Sequence, residues 1–228
     1  MRRIVGALFF LLVLATAGLP RTATSAPCPD PIGGWGVPGA GPGEFNLPNC
    51  IVRDPLGRWL VSDQHNTRVH IFDPLGNWLG EFGSFGSGPG QLFHPSGLAV
   101  GPNNLVYVSE HQNHRVSVFT LAGAFVRSFG ARDPSDPTSV GRLQYPVALD
   151  VDATGHVFVA DYLNNRIQEF LLDGTFVASL ASGLVSGPYG VRVAPDGTLW
   201  VGEYDGSFVR RFSTAGVPLG AWGGYGTG

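Results

Sequence analysis

Residues 61–72 read VSDQHNTRVHIF: an apolar run ends on an acid, and five residues later an arginine opens a second run that closes on phenylalanine. The stretch returns as VSEHQNHRVSVF at 108–119, as VADYLNNRIQEF at 159–170 and, altered, as VGEYDGSFVRRF at 201–212. Four copies of one supersecondary unit decide the fold class before any single residue is weighed. Aligned on the proline that opens each unit, Pro48, Pro95, Pro146 and Pro188, the copies are spaced by 47, 51 and 42 residues. A period in the forties, rich in glycine and nearly free of helical patterning, is that of four-stranded propeller blades.

The strand signals follow one another within each unit. A short apolar run (50–52, 98–100, 148–151, 191–193) leads to a turn whose last residue is Gly57, Asn104, Gly155 or Gly197, a position expected at positive φ, which Gly adopts freely and Asn tolerates. A β-branched and aromatic strand then runs to Asp63, Glu110, Asp161 or Glu203, and a third strand to Phe72, Phe119, Phe170 or Phe212. Four residues beyond each Phe a glycine marks a second hairpin, and the fourth strand ends at Gly83, Gly130, Ala181 or Gly223. The sequence therefore predicts an all-β propeller of four-stranded antiparallel blades at 48–94, 95–145, 146–187 and 188–228.

Two details point to a larger ring. Residues 32–36, IGGWG, read as an outermost strand without a blade of its own, with Trp35 in the place of Phe82. Residues 221–228 follow the pattern of 81–88 and break off where Pro89-Gly90-Gln91 would continue. A blade buries its faces only against neighbours, so the expectation is part of a six-bladed ring that pairs with a missing segment or another chain.

The N-terminal 26 residues carry Arg2 and Arg3, an apolar run and small residues up to Ala26, the layout of a secretory signal peptide, with a retained anchor as the alternative. Its removal takes away three arginines and no acid, so the net charge of −3 becomes −6. That balance speaks against nucleic acid, and no membrane span is expected after cleavage. Residues 27–47 form an N-terminal segment. The basic residues are all Arg, which excludes Schiff-base and P-loop lysines. In a secreted or periplasmic setting Cys28 and Cys50 either form a bridge, contributing up to about 3 kcal/mol, or remain two thiols.

The pattern P-x-G-[IL]-A-V, then V-x-V-[SA]-[DE]-x-x-N-x-R-[VI]-x-x-F, then G-x-F-x-x-x-F-G resembles the NHL repeat, a propeller-blade module, and the resemblance spans residues 32–228. It departs in the fourth copy, where Gly206 replaces the asparagine and Phe208 the arginine. It implies an exported binding or scaffold module for a protein, peptide or glycan. The alternative it implies is a secreted metal-dependent lyase or hydrolase like the peptide-amidating lyases, which use zinc and calcium.

Strand parity places the second-to-third loops and the long linkers on one face, the usual place for binding. The pairs Asp63/Arg68, Glu110/Arg115 and Asp161/Arg166 recur together and are read as structural ion pairs rather than a cation site. Asn66 closes its loop or meets a ligand. His65, His111 and His114, with Tyr145, Tyr162, Tyr189 and Tyr204, are the candidate binding residues of that face. Three loop histidines suggest a zinc site only if the blades converge, since no HxxxH or CxxC spacing supports a local one. No catalytic residue is assigned: Ser62 and Ser109 lack a nucleophile elbow.

Overall fold

The structure, a computed structural model, describes residues 34–133, 135–136, 138–224 and 226. Among the described residues sixteen strands form four antiparallel sheets, each a meander in chain order. Sheet 1 is β1 (Pro48–Arg53), β2 (Trp59–Asp63), β3 (Arg68–Phe72) and β4 (Trp78–Phe82). Sheet 2 is β5 (Pro95–Val100), β6 (Leu105–Glu110), β7 (Arg115–Thr120) and β8 (Phe125–Phe129). Sheet 3 is β9 (Pro146–Val151), β10 (His156–Asp161), β11 (Arg166–Leu171) and β12 (Phe176–Leu180). Sheet 4 is β13 (Pro188–Val193), β14 (Leu199–Glu203), β15 (Phe208–Phe212) and β16 (Pro218–Gly223). The helical structure among the described residues is one 3-10 turn, Tyr162–Asn164.

The turn chemistry places the strands as the sequence suggests. Gly57, Asn104, Gly155 and Gly197 close the first hairpins at φ of 82°, 57°, 94° and 79°, which L residues other than Asn adopt at a cost. The first strand of each sheet lies beside the first strand of the next, β1 by β5, β5 by β9 and β9 by β13, so the sheets fan out as propeller blades. In every sheet the first pair is irregular just after its proline, and the third pair just before its phenylalanine. Such bulges bend a strand and sharpen its twist.

Three apolar clusters fill the three spaces between neighbouring sheets, for example Leu60 and Val69 against Leu98 and Phe119, and Phe158 and Ile167 against Val191 and Phe212. Each third-strand phenylalanine is buried, a gain of about 1.5–3 kcal/mol apiece. Serine hydroxyls link the inner strands: Ser62 accepts from Cys50 N–H at 2.9 Å and donates to the Ser96 carbonyl at 2.7 Å. Ser109 repeats this one sheet on, between Gly97 N–H and the Val147 carbonyl.

The outward faces of sheets 1 and 4 meet no further sheet among the described residues. Ile51 is 49% exposed, whereas Leu98, Leu149 and Val191, at the same place in their sheets, are buried. On sheet 4, Trp200 stacks on Trp222 with centroids 5.1 Å apart and planes at 16°, under the Arg211 guanidinium. Trp35 packs on Phe72 at 4.4 Å, as Phe82 packs on Phe119 at 4.8 Å. Gly34–Val37 carry no ladder, and residues 32 and 33 lie outside the described residues, as do the leader and Cys28. Cys50 sits on β1 with Sγ 3.8 Å from the Leu98 carbonyl. Among the described residues no helix is long and apolar enough to cross a membrane.

Candidate functional site

The loop face is built on buried acids. The Asp63 carboxylate accepts from Asn46 N–H at 2.6 Å, Asn66 Nδ2 at 2.7 Å, Arg68 Nε at 3.2 Å and His70 Nε2 at 3.2 Å. Asp161 repeats the arrangement with Gln144 N–H, Asn164, Arg166 and Gln168 at 2.7–2.9 Å. Glu110 does so with Phe93 N–H, Asn113, Arg115 and Ser117. The arginines also hold the linkers: Arg68 donates to the Gly41 and Glu44 carbonyls, Arg115 to Ser87, Gly88 and Gln91, and Arg166 to Thr138, Ser139 and Arg142. Asn66 spends its amide on Asp63 and the Gly39 carbonyl. Acid, asparagine and arginine are thus committed to fixing the loops.

Sheet 4 departs from this pattern because the linker before it, 181–187, is short, against 83–94 and 130–145, and leaves fewer carbonyls to hold. Gly206 and Phe208 stand where asparagine and arginine would, and Glu203 turns to Arg210 instead. Its Oε2 is buried without a hydrogen-bond partner.

The loops carry a row of rings. Leu47, His94, Tyr145 and Gly187, each just before a blade-opening proline, sit at φ of 53–59°, a strained position for the first three. Loop N–H groups bond three of their carbonyls: Gln64 N–H donates to Leu47 at 3.2 Å, His111 N–H to His94 at 3.1 Å and Tyr204 N–H to Gly187 at 2.9 Å. Each loop then reaches the next sheet. His65 stacks on His94 at 5.2 Å; His111 and His114 each meet Tyr145 edge-on at 4.6 Å; Tyr162 meets Tyr189 at 6.1 Å, and Tyr189 meets Tyr204 at 5.6 Å. His114 Nδ1 accepts from Tyr145 N–H at 3.0 Å, and Asn165 Oδ1 from Gly187 N–H at 2.7 Å, which stitches sheet 2 to 3 and sheet 3 to 4.

Three of these histidines, His94, His111 and His114, are pushed toward the neutral form. Burial pushes His111 down to about 4, helped by the nearby His94 and His114 charges. Burial also lowers His94, with His65 next, and His114, with Arg132 next. His94 had no assigned place in the sequence pattern; the signal that marks it is its position before Pro95, shared with Leu47 and Tyr145. The remaining two histidines turn inward or away: buried His70 accepts from Trp78 Nε1 at 3.0 Å, and His156 lies 3.4 Å from Asp152.

A cavity of about 400 Å³ lies where the inner strands converge, lined by Asn49, Cys50, Gly97, Val147, Tyr189 and Trp200 among others. A second, of about 670 Å³, opens on the opposite face between Arg53, Asp54, Gly101 and Asp152. Among the described residues no three of His, Cys, Asp or Glu come together as a metal-binding set. The hydroxyls of Ser62 and Ser109 are engaged with backbone. The arrangement offers rings, neutral imidazoles and phenols on a rigid support, which suits binding.

Comparison with known proteins agrees with this architecture. The family description "NHL repeat" matches residues 94–119 and 143–170. Human NHL repeat-containing protein 3 is 40% identical over 50 residues, 22% of this chain and 14% of that protein. Its mouse counterpart is 44% identical over 46 residues, 20% and 13% of the two chains. Among solved structures, virginiamycin B lyase from Staphylococcus aureus superposes with a TM-score of 0.61 at 16% identity, over 77% of this chain and 55% of that one. Kuenenia stuttgartiensis hydrazine synthase gives 0.61 at 19% identity, over 76% and 48%. The chain spans about half the length of these structures and matches a smaller part of the curated relatives.

Proposed function

We propose, on the premise that this chain is an NHL-repeat protein of propeller fold, that it is an exported binding module whose loop face receives a protein, peptide or glycan. The observation that carries this reading is the row of rings from His65 to Tyr204, set on loops whose acids, asparagines and arginines are spent on rigidity. Aromatic rings with a polar edge supply contact area at low entropic cost. Preorganised loops lose little further freedom on binding.

The test is a binding screen of the secreted chain against immobilised peptide and glycan libraries, repeated with Tyr145→Ala and Tyr204→Ala. Binding that falls at least about tenfold in a variant of unchanged melting temperature supports the reading. A partner that binds both variants as well as the parent chain overturns it. A metal-dependent lyase is the second reading, supported by the fold shared with the virginiamycin B lyase of Staphylococcus aureus and with a streptogramin B lyase. One equivalent of tightly held zinc in the purified chain would promote it over the first.

A further inference from the structure

We propose that the hydrogen bond from Tyr145 N–H to the His114 imidazole is an acid-released latch of the loop face: protonation of His114 frees Tyr145 from sheet 2 and opens the ring cluster that it forms with His111 and His114. The inference assigns a regulation to the face read above as a binding surface, and rests on that reading for its purpose.

The geometry of the bond carries the argument. A backbone N–H only donates, so His114 Nδ1, 3.0 Å from the Tyr145 nitrogen, accepts, and the neutral ring keeps its proton on Nε2. A second proton can enter only at Nδ1, where it would point at the amide hydrogen; the imidazolium cannot make this bond. The bond also holds strain. Tyr145 sits at φ 54° before Pro146, a left-handed conformation that a tyrosine leaves readily once nothing holds it. Its ring, flanked edge-on at 4.6 Å by both His111 and His114, leaves with the backbone. One residue earlier the linker stays anchored, with Gln144 N–H on Asp161 Oδ1 at 2.7 Å and the Gln144 carbonyl accepting from Leu163 N–H at 3.2 Å. The release is therefore local to Tyr145.

The molecule contains its own control. His114 and Asn165 hold the same place, just before the arginine that opens the third strand, at φ of 54° and 51°. Asn165 makes the same stitch one sheet on, Oδ1 accepting from Gly187 N–H at 2.7 Å. A carboxamide has no proton to gain in the range where imidazole titrates, so one stitch responds to acid and its counterpart does not. Around His114 stand Arg132 from the linker, which with burial opposes its protonation, and Asp161 at the end of β10, which favours it. His111 lies in its own loop and is coupled in turn to His94, which His65 stacks upon; Glu110 and Arg115 of the same sheet are spent on each other. Both His114 and Tyr145 are only half-buried, so water reaches the ring.

The experiment is 15N NMR of the full chain, stepped from about pH 7.5 to about pH 5, which follows the His114 ring nitrogens together with the Tyr145 and Gly187 amides. The Tyr145 amide is expected to shift with the midpoint of His114, below 6.5, and its exchange protection to fall by about tenfold or more, while Gly187 keeps its protection. His114→Asn, which suits the left-handed backbone and copies Asn165, should hold Tyr145 protected across the whole range. His114→Ala should leave Tyr145 unprotected at both ends of it. His111→Asn should leave the Tyr145 transition in place. A Tyr145 amide that ignores the protonation of His114, or a His114 ring still neutral at pH 5, overturns the latch. So does a Tyr145 transition that persists in His114→Asn or vanishes in His111→Asn. Each of these outcomes leaves the library screen at neutral pH to decide the binding reading by itself, and a face that binds nothing there would remove the latch's purpose without closing it in acid.

Discussion

Asp161 has no exposed surface and accepts hydrogen bonds from a backbone N–H, an asparagine, an arginine and a glutamine. Asp161→Ala strands the Arg166 guanidinium and leaves Gln144 N–H without an acceptor, and is expected to cost about 3–5 kcal/mol in urea denaturation. Glu203→Gln, at the same place in sheet 4, should cost about 1 kcal/mol or less, because one of its oxygens has no donor to lose. The histidines set the acid response. His111 titrates near 4 in the fold and near 6.5 when unfolded, so between those values the unfolded chain binds more protons and stability falls as pH falls. A melting temperature that declines from pH 6.5 toward 4, and declines less in His111→Asn, is the expected profile. Repetition made the acids, asparagines and arginines legible in the sequence. The pre-proline residues were not: steric preference disfavours helical φ/ψ before proline, and hydrogen bonds with loops distant in sequence hold the left-handed backbone, at the carbonyls of Leu47 and His94 and at the N–H of Tyr145.

At the level of the strand, the inner strands pack backbone against backbone. A Cβ on Gly97 of β5 would meet the Val147 carbonyl oxygen at 2.6 Å and the Ala148 Cα at 2.9 Å on β9, main-chain atoms that have no rotamer to yield. Gly97→Ala is expected to destabilise by about 3 kcal/mol, the upper end of overpacking costs. At the corresponding position of sheet 4, a Cβ on Gly190 would find its nearest neighbour at 3.9 Å. Gly190→Ala should therefore be neutral or stabilise by up to about 1 kcal/mol through the unfolded chain. Thermal melts of the two variants decide it. Turns, strand order and hairpin glycines were readable because each is set by a few adjacent residues. The bulges after each proline and the 3-10 turn at Tyr162–Asn164 were not, since they answer to the neighbouring sheet and to linker length.

Across the molecule, each sheet is stabilised by its neighbours, as in other repeat arrays. Sheets 2 and 3 are covered on both faces, while Ile51 on sheet 1 and Trp222 on sheet 4 remain half exposed. Amide exchange should be slowest in β6, β7, β10 and β11 and faster throughout sheet 4; uniform protection would show that the array opens only as a whole. The fan of sheets was legible because four degenerate copies report the same geometry four times. The meeting of three tyrosines from two sheets was not, because their sequence neighbours belong to different loops. The five tryptophans, Trp35, Trp59, Trp78, Trp200 and Trp222, lie in or against the end sheets and none in the middle pair. Intrinsic indole emission therefore watches the two ends alone, and the stacked Trp200 and Trp222 should give an exciton couplet in the near ultraviolet. Loss of that couplet ahead of the main unfolding transition would record the fourth sheet peeling away while its neighbours stay folded.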